Sequence, residues 1–387
     1  MNPFYNAATK IQSKAVMEWS RAGKKIVGYT CSYTPAEIFH AADILPVRLR
    51  GLETDGMEIA DAYYGPFVCS FPKCILQLAG KGELSFLDGA IITPGCDAMR
   101  RLDECWRKAG DDYKGIVPDY FYYFDVPHKV EPHGMAWYVQ EIRNLIKSVE
   151  DHFEVEITDE KLSASIKLYN QGRGLLRELE DLRAGEAVPV SGTQAFAAAV
   201  AAVVSPRDEY TQTLEDWLSV VKENTPLEND GKRLLLIGSI SDEIDLVELI
   251  EESANAVVVG ENLCFGVQYE SSLVSEEGDP VAALAAHYLG KSICPRMFGK
   301  YKERLALLVE KIKRLKVDGV VMQNIRFCDL HGAENALFER DLEAMGVSCI
   351  RIEREYGPLT EKGRIKLRIN AFLDRISQNN QQSALTA

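Results

Sequence analysis

Short apolar runs alternate with longer segments of helical periodicity along most of the chain, a pattern that predicts strands followed by helices. Residues 7–23 carry apolar positions at helical spacing and stop at Gly23, which predicts one amphipathic helix. Lys25 to Thr30 is the first predicted strand. The turn Cys31 to Pro35 follows, with Thr34 as cap and Pro35 in the first turn of a helix over Ala36 to Ala42. Further strands are predicted at Pro46 to Leu49, Gly89 to Ile92 and Tyr120 to Val126, and Tyr63 to Gly82 predicts a loop and then a helix with Cys69 and Cys74 near its start. From His133 to about Glu223 strand signals stop, and helical periodicities run through Trp137 to Phe153, Asp159 to Arg183 and Pro206 to Lys222. After a polar linker, Asn224 to Gly231, the α/β rhythm resumes. It gives strands at Arg233 to Ile237, Ala256 to Val259, Asp318 to Met322 and Ser348 to Ile352. Helices are predicted at Asp242 to Glu252, Pro280 to Leu289, Arg296 to Leu315, Glu334 to Met345 and Thr360 to Ile376, with a frayed polar tail from Gln378.

This order predicts an α/β chain with two doubly wound parallel-sheet domains of the Rossmann or flavodoxin kind, residues 1–132 and 227–387, and a helical region, residues 133–226, between them. The two halves are candidates for a diverged duplication, with no repeat evident residue by residue. The chemistry concentrates at Phe86 to Cys105. There an apolar strand, Gly89 to Ile92, is broken by Thr93, Pro94 and Gly95, and Asp97 is placed to cap a helix carrying Arg100 and Arg101. Cys96 sits at that turn, just past the carboxyl end of the strand, where open α/β sheets bind ligands. Late in the chain the strand Gly319 to Met322 is followed by Cys328 and Asp329, so each half presents a Cys-Asp pair at that edge.

Composition changes the picture in two ways. A net charge of −14 over 387 residues argues against nucleic acid and anionic membranes as partners, and no apolar run approaches membrane-spanning length. The first residues lack the apolar core of a signal peptide, so a cytoplasmic protein is expected. Nine cysteines in a reducing compartment do not predict a disulfide framework; most such thiols are small buried hydrophobes. No GxGxxG follows a strand and no GxxxxGK[ST] occurs, so the chain carries no nucleotide signature of its own. The five-residue spacing of Cys69 and Cys74, without paired histidines, does not suit structural zinc. Cys96 at a helix start predicts a lowered thiol pKa and a candidate nucleophile. Iron–sulfur ligation needs soft thiolates on rigid turns, and Cys69, Cys96 and Cys328 all lie at element junctions.

Five blocks bear a resemblance. They are GYTCSYTPAEIFHAADILPVRLRG (28–51), GPFVCSFPKCILQLAGKGELSFLDGAIITPGCDAMRRLDECW (65–106), GENLCFGVQYE (260–270), CPRM (294–297) and DGVVMQNIRFCDL (318–330). In order and spacing the chain resembles the 2-hydroxyacyl-CoA dehydratase and benzoyl-CoA reductase family over nearly its whole length. The resemblance implies a catalytic subunit holding a [4Fe-4S] cluster on Cys69, Cys96 and Cys328, with one iron open. It implies an acyl-CoA substrate, dehydrated through a ketyl radical or reduced in its aromatic ring, and an ATP-dependent iron–sulfur activator protein as electron donor. It implies a dimer with a homologous sister subunit or with itself, and in some homodimeric relatives two cubanes joined as a double-cubane [8Fe-9S] cluster. The alternatives are such a double-cubane reductase of small molecules, a non-catalytic iron–sulfur carrier or scaffold subunit, and a cluster-free α/β enzyme.

Glu37, at a helix start in the first block, is the candidate catalytic carboxylate, against the ordinary stabilising role of a first-turn acid. Arg100 and Arg101 are candidates for CoA phosphates, against the solvated role usual on helices. Cys264 and Cys294 fall in resembling blocks without being expected ligands, Cys264 being placed to support the ligands from behind. Cys31, Cys74, Cys105 and Cys349 are expected to be packing residues, and His128, His133 and His331 are candidate proton donors by loop position alone.

Overall fold

The computed structural model describes residues 2–226, 231–252, 256–266, 272–291 and 293–386, with side chains described through residue 378. Two four-stranded parallel sheets dominate it, with fifteen helices among the described residues. The first sheet joins β1 (Ile26–Tyr29), β2 (Leu45–Arg48), β3 (Gly89–Ile92) and β4 (Tyr120–Tyr123) in the order β2-β1-β3-β4. The second joins β5 (Lys232–Gly238), β6 (Ala256–Asn262), β7 (Gly319–Ile325) and β8 (Ser348–Arg354) in the order β6-β5-β7-β8. Both wind identically. In each, the order reverses between the first and third strands, which opens a crevice at their carboxyl ends.

The shared winding has a residue-level counterpart that the sequence pattern alone did not reveal. Asp88 and Gly89 open β3, and Asp318 and Gly319 open β7. The Asp88 carboxylate accepts the Ile26 N–H at 2.9 Å, and the Asp318 carboxylate accepts the Arg233 N–H at 2.8 Å. Each aspartate clamps the start of the strand beside it, and the glycine after it lets an aromatic ring press on the backbone. A Cβ on Gly89 would lie 2.9 Å from Tyr120, and one on Gly319 2.8 Å from Phe372.

The remaining elements place the sheets. At the N-terminus, α1 (Tyr5–Thr9) and α2 (Lys14–Arg21) replace the single helix expected over 7–23. The chain breaks because Glu53 takes the Ile11 N–H at 2.9 Å and Ser13 caps the new start by accepting from Val16. The helix α3 (Glu37–Ala41) follows β1, with Ala36 rather than Thr34 at its cap position; the Thr34 hydroxyl instead meets that of Thr93 at 3.0 Å. Then come α4 (Glu58–Tyr63), missed in the sequence because it has barely one apolar stripe, α5 (Ser70–Gly80) and α6 (Asp97–Asp112). Cys96, not Asp97, holds the cap position of α6.

No strand interrupts the described residues between Tyr123 and Lys232, where α7 (Pro132–Phe153), α8 (Asp159–Ala184), α9 (Gly192–Ala201) and α10 (Arg207–Glu223) run. Of these, α9 was not expected. Its run of alanines gives no polar face because the helix is buried all round from Ala195 to Ala201, packed on α1, on β6 and on α11 (Ile244–Glu251). The helix α8 ties the two halves together through two fully buried arginines ten residues apart, about 15 Å along its axis. Arg173 pairs with Glu37 of α3 at 2.6 Å, and Arg183 pairs with Glu261 of β6 at 3.0 Å. One apolar core accordingly contains Ile26 and Leu45 of the first sheet together with Leu234 and Leu236 of the second.

The C-terminal half is completed by α12 (Pro280–Gly290), α13 (Tyr301–Arg314), α14 (Asp329–Ala344) and α15 (Lys362–Thr386). Residues 296–300, expected to be helical, form turns instead, and α14 starts at Asp329, five residues before its expected start. The C-terminal tail from Gln378, expected to fray, continues α15 to Thr386. Part of the expected linker, residues 227–230, and the end of the block 260–270 lie outside the described residues.

Candidate functional site

The carboxyl edges of the two sheets face one another. Tyr356, just past β8, donates its N–H to the Ser70 hydroxyl at 2.7 Å, accepts the Gly51 N–H at 2.9 Å and donates its hydroxyl to Asp242 at 2.7 Å. Beneath it Arg354 and Glu243 form a buried ion pair, with a second guanidinium bond at 2.9 Å. The seam is therefore polar and cross-linked between the two sheets, with Asp242 Oδ2 the one buried oxygen named here that has no hydrogen bond, 3.7 Å from Arg50.

Along this seam lie Cys69, Cys96 and Cys328, all free thiols. Each occupies the cap position of its own helix: Cys69 of α5, Cys96 of α6 and Cys328 of α14. The Cys-Asp pair noted in each half thus has one structural meaning, a cap residue followed by the first helical residue. Cys96 follows β3 and Cys328 follows β7, the third strand of each sheet at its switch point. Three helix N-termini, with their outward N–H groups and positive dipole ends, converge on three sulfurs.

Burial pushes the Cys69 thiol well up, and the neighbouring thiols of Cys328 and Cys96 push it further. Cys96 is pushed up to about 11 by burial, against the N–H groups of Met99 and Ala98, with Cys328 adding to the rise. The lowered pKa expected at this helix start is therefore not found: desolvation outweighs the helix terminus. Cys328 is raised by burial too, while the Ser239 hydroxyl and the N–H groups of His331 and Gly332 favour its thiolate. Three neighbouring thiolates in a dry crevice repel one another and lack solvation; a bound cationic metal group removes both costs. No three His, Cys, Asp or Glu side chains among the described residues are placed to hold a single metal ion. The donor set suits instead a polynuclear iron–sulfur group, which takes its thiolates on separate irons.

Two aromatic rings flank these cysteines in sequence, Phe67 two residues before Cys69 and Phe327 directly before Cys328. Phe67 is 80% exposed and Phe327 44% exposed, and they meet edge to face with centroids 5.7 Å apart. Phe327 has φ +64°, a left-handed conformation that is strained for a bulky residue. Periodicity gave no sign of this pair.

A second group of thiols lies beside the first. Cys294 is pushed up by burial and by the neighbouring thiols of Cys264 and Cys31. Cys264 is raised by burial, against the Arg48 guanidinium that hydrogen-bonds it, with Cys31 also raising it. Cys31 also acts on Cys96, and its sulfur would lie 3.8 Å from a Cβ on Gly95, so it stands between the two groups. Cys31, expected to be a packing residue, is one of these clustered thiols. None of the three caps a described helix, which is why strand-and-helix punctuation pointed to the first group and not to this one.

The other candidates fall as follows. Glu37 is fully buried; Arg173 binds one of its oxygens at 2.6 Å and the Tyr288 hydroxyl the other at 2.8 Å. Burial works to raise its pKa, yet Arg173 and these hydrogen bonds hold it low, so it stays ionised. Arg101 pairs with Asp97 at 2.8 Å on the exposed face of α6, and Arg100 is exposed beside it. His128 contacts the Arg296 carbonyl through Nδ1 at 3.1 Å, and burial lowers its pKa. Burial also lowers His331, to about 4, with Arg304 adding to it, and His133 is exposed beside Glu131. Cys74 and Cys349 are buried packing residues, as expected, and Cys105 is half-buried.

Fold and site together define a two-sheet α/β protein that gathers thiols at the joined carboxyl edges of its sheets. Residues 31–376 match the family model described as 2-hydroxyglutaryl-CoA dehydratase, D-component, and the chain belongs to that family. It is 29% identical to one of the subunits of benzoyl-CoA reductase from Thauera aromatica, over 85% of this chain and 84% of that protein. It is 26% identical to the (R)-phenyllactyl-CoA dehydratase beta subunit of Clostridium sporogenes, over 92% of each. With the beta subunit of (R)-2-hydroxyglutaryl-CoA dehydratase from Acidaminococcus fermentans it shares 21% identity over 87% of this chain and 88% of that protein.

Proposed function

We propose that this chain is the iron–sulfur subunit of an ATP-dependent, low-potential enzyme acting on acyl-CoA thioesters, by 2-hydroxyacyl-CoA dehydration or by reduction of an aromatic acyl-CoA. Membership of a family whose relatives are named as dehydratase and reductase subunits supports the enzyme class. The observation that carries the assignment is the convergence of Cys69, Cys96 and Cys328, each from its own helix cap, at the seam between the sheets. A [4Fe-4S] cluster held there by Cys69, Cys96 and Cys328 would supply one-electron transfer and Lewis acidity toward a substrate oxygen. The chain's own residues hold the thiolates in place and surround them with N–H donors. Glu37 acts in this scheme by position: anchored by Arg173 and Tyr288, it fixes α3 and, through it, the turn that carries Cys31.

The chain has no phosphate-binding loop and no dinucleotide fingerprint, so its electrons come from a separate ATP-driven iron–sulfur protein. A homologous sister subunit, or a second copy of this chain, covers the exposed ring pair Phe67 and Phe327 and shields the site from oxygen. The cytoplasm is the compartment this scheme calls for, since both the thiols and the ATP-driven donor need it. No described helix is long and apolar enough to cross a membrane.

A second version is favoured by Cys31, Cys264 and Cys294. Six thiols in two adjoining groups within one chain suit a double-cubane [8Fe-9S] cluster, and a reductase of small molecules, better than a single cubane. Anaerobic product analysis tests the main proposal: activator, ATP and Mg²⁺ should give sustained turnover of a 2-hydroxyacyl-CoA or benzoyl-CoA, and dithionite alone should not. Equal rates with and without activator would remove the ATP-coupled scheme. Iron and sulfide counts per chain separate one cubane from two.

A further inference from the structure

Eight arginines are buried among the described residues. Five have a carboxylate partner: Arg50 with Asp242, Arg173 with Glu37, Arg183 with Glu261, Arg304 with Glu334 and Arg354 with Glu243. Arg48, Arg207 and Arg296 have none among the described residues. Arg207 lies against Tyr169, with its guanidinium carbon 4.4 Å from the ring centroid and its N–H groups on the Tyr169 and Ala202 carbonyls. The other two border the second group of thiols, Arg48 acting on Cys264 and Cys31 and Arg296 on Cys294.

Arg48 leaves the end of β2 and is 2% exposed. Its Nε donates to the carbonyl of Thr30, the residue before Cys31, at 3.2 Å. Its guanidinium carbon lies 4.7 Å from the ring centroid of Phe265, the residue after Cys264. Two neighbours in sequence thus bracket the two sulfurs, and the Cys264 sulfur accepts from the guanidinium. Arg296 follows Cys294 by two residues and is 3% exposed. It lies over Tyr33 at 4.8 Å and donates to the carbonyls of Val126 and Pro127, and its Nε is buried without a hydrogen-bond partner. An unpaired buried cation costs several kcal/mol in a protein interior. Carbonyls and a ring satisfy Arg207 in the same way, but Arg48 and Arg296 also adjoin thiols, and two such cations at one group of thiols favour negative charge there, which no described carboxylate supplies.

We infer that Arg48 and Arg296 are the built-in countercharge of an anionic sulfur-ligated group on Cys31, Cys264 and Cys294, and that they set its reduction potential. The inference rests on the two-group version of the cluster proposed above. It also separates the two groups electrostatically: the first leans on helix ends, the second on fixed full charges. Reduction adds one electron, hence one negative charge, to the bound group, and a cation beside it favours that step. Both arginines are positioning residues, acting through the thiolates.

The test uses the full chain reconstituted anaerobically with iron and sulfide, with iron counted per chain and the midpoint potential followed by electron paramagnetic resonance during dithionite titration. Cys264→Ala identifies the iron and the signal that belong to the second group. Arg48→Met and Arg296→Met should each make the reduction of that signal at least tenfold less favourable, 59 mV for one electron, while Arg48→Lys and Arg296→Lys stay close to the native value. Loss of that group's iron in the Met variants and its retention in the Lys variants would also support the inference, since lysine keeps the charge and not the shape. If Cys264→Ala, Cys31→Ala and Cys294→Ala lose no iron, the two-group version fails and the inference with it. If they do lose iron but neither Met variant moves the potential, the countercharge role alone is overturned. Should one Met variant fail to fold, the other arginine gives the same decision.

Discussion

The two groups of thiols solve one problem in different ways. Around Cys69, Cys96 and Cys328 the chain spends three helix N-termini and no full charge; around Cys31, Cys264 and Cys294 it uses loops and two buried guanidiniums. Helix ends offer partial charge in fixed directions and decay within a turn. A guanidinium offers a whole charge and must be fully compensated when buried. Each group has one buried cysteine, Cys69 or Cys294, and two half-buried ones, and the first also carries the exposed ring pair Phe67 and Phe327. The difference suits an exchange site beside the exposed rings and a charge-stabilised site at the second group.

The largest effect expected from breaking this contrast is loss of metal. Cys69→Ala, Cys96→Ala or Cys328→Ala should each remove the iron of the first group from the reconstituted chain and leave the fold intact, because each residue caps a helix start and loses only one sulfur from the packing. Cys74→Ala and Cys349→Ala, both buried away from the helix caps, should keep all their iron and cost roughly 1 kcal/mol in stability. Full iron in all three cap variants would dissolve the assignment.

Next comes the contrast between paired and unpaired arginines. Glu37→Ala leaves Arg173 buried without its carboxylate and should cost about 3–5 kcal/mol in urea unfolding. Adding Arg173→Met should recover a good part of it. If Glu37→Ala instead leaves stability unchanged and abolishes turnover, Glu37 is a catalytic residue and its anchoring role is wrong.

A third test uses pH on a pair far from both groups of thiols in sequence. Burial works to raise the Glu180 carboxyl, but Lys311 at 2.6 Å and Arg314 hold it at about 2. Its folded pKa lies below the ordinary glutamate value of 4.5, so its contribution is complete above pH 4.5 and is lost as the pH falls toward 2. The full contribution is on the order of 3 kcal/mol. The stability difference between the native chain and Glu180→Gln should therefore shrink between pH 5 and 3 in urea titrations; a constant gap across that range would show that the ion pair is not what holds this carboxyl.

Much of this was legible in the sequence, and what was not has physical reasons. Gly89 to Ile92 was found to the residue because a fully buried strand is a run of apolar residues bounded by a turn. Cys69, Cys96 and Cys328 were marked by strand ends and turns, the punctuation that local propensity writes. The helix α9 escaped because burial on every side erases its period, and the start of α14 because Cys328 does not look like a cap residue. The second group of thiols was invisible for a stronger reason. Cys31, Cys264 and Cys294 come from three separate loops, and only the packing of the sheets brings them together. The paired clamps of Asp88 and Asp318 were in plain sight as two Asp-Gly steps ahead of apolar strands, a repeat too short to stand out without the fold.

The smallest effect tests the strain beside the first group. Phe327 holds φ +64°, which costs a residue with a Cβ roughly 1–2 kcal/mol, and its ring regains about 0.5–1.5 kcal/mol by meeting Phe67. Phe327→Gly loses the ring contact and the strain together, so its stability should lie close to the native value. Phe327→Ala loses the ring contact and keeps the strain, so it should be less stable than Phe327→Gly by about 1 kcal/mol in urea unfolding. The strain stays in the native chain because the turn must deliver Cys328 to the start of α14 while presenting a ring at the surface, which glycine does not do. Phe67→Ala, at an unstrained position, should leave stability nearly unchanged and speed the bleaching of the reconstituted first group in air, since it uncovers the same sulfurs without touching the turn. Equal stability of the Ala and Gly variants at position 327 would mean the turn carries no strain. Native bleaching rates in Phe67→Ala would mean the ring pair does not shield the thiols.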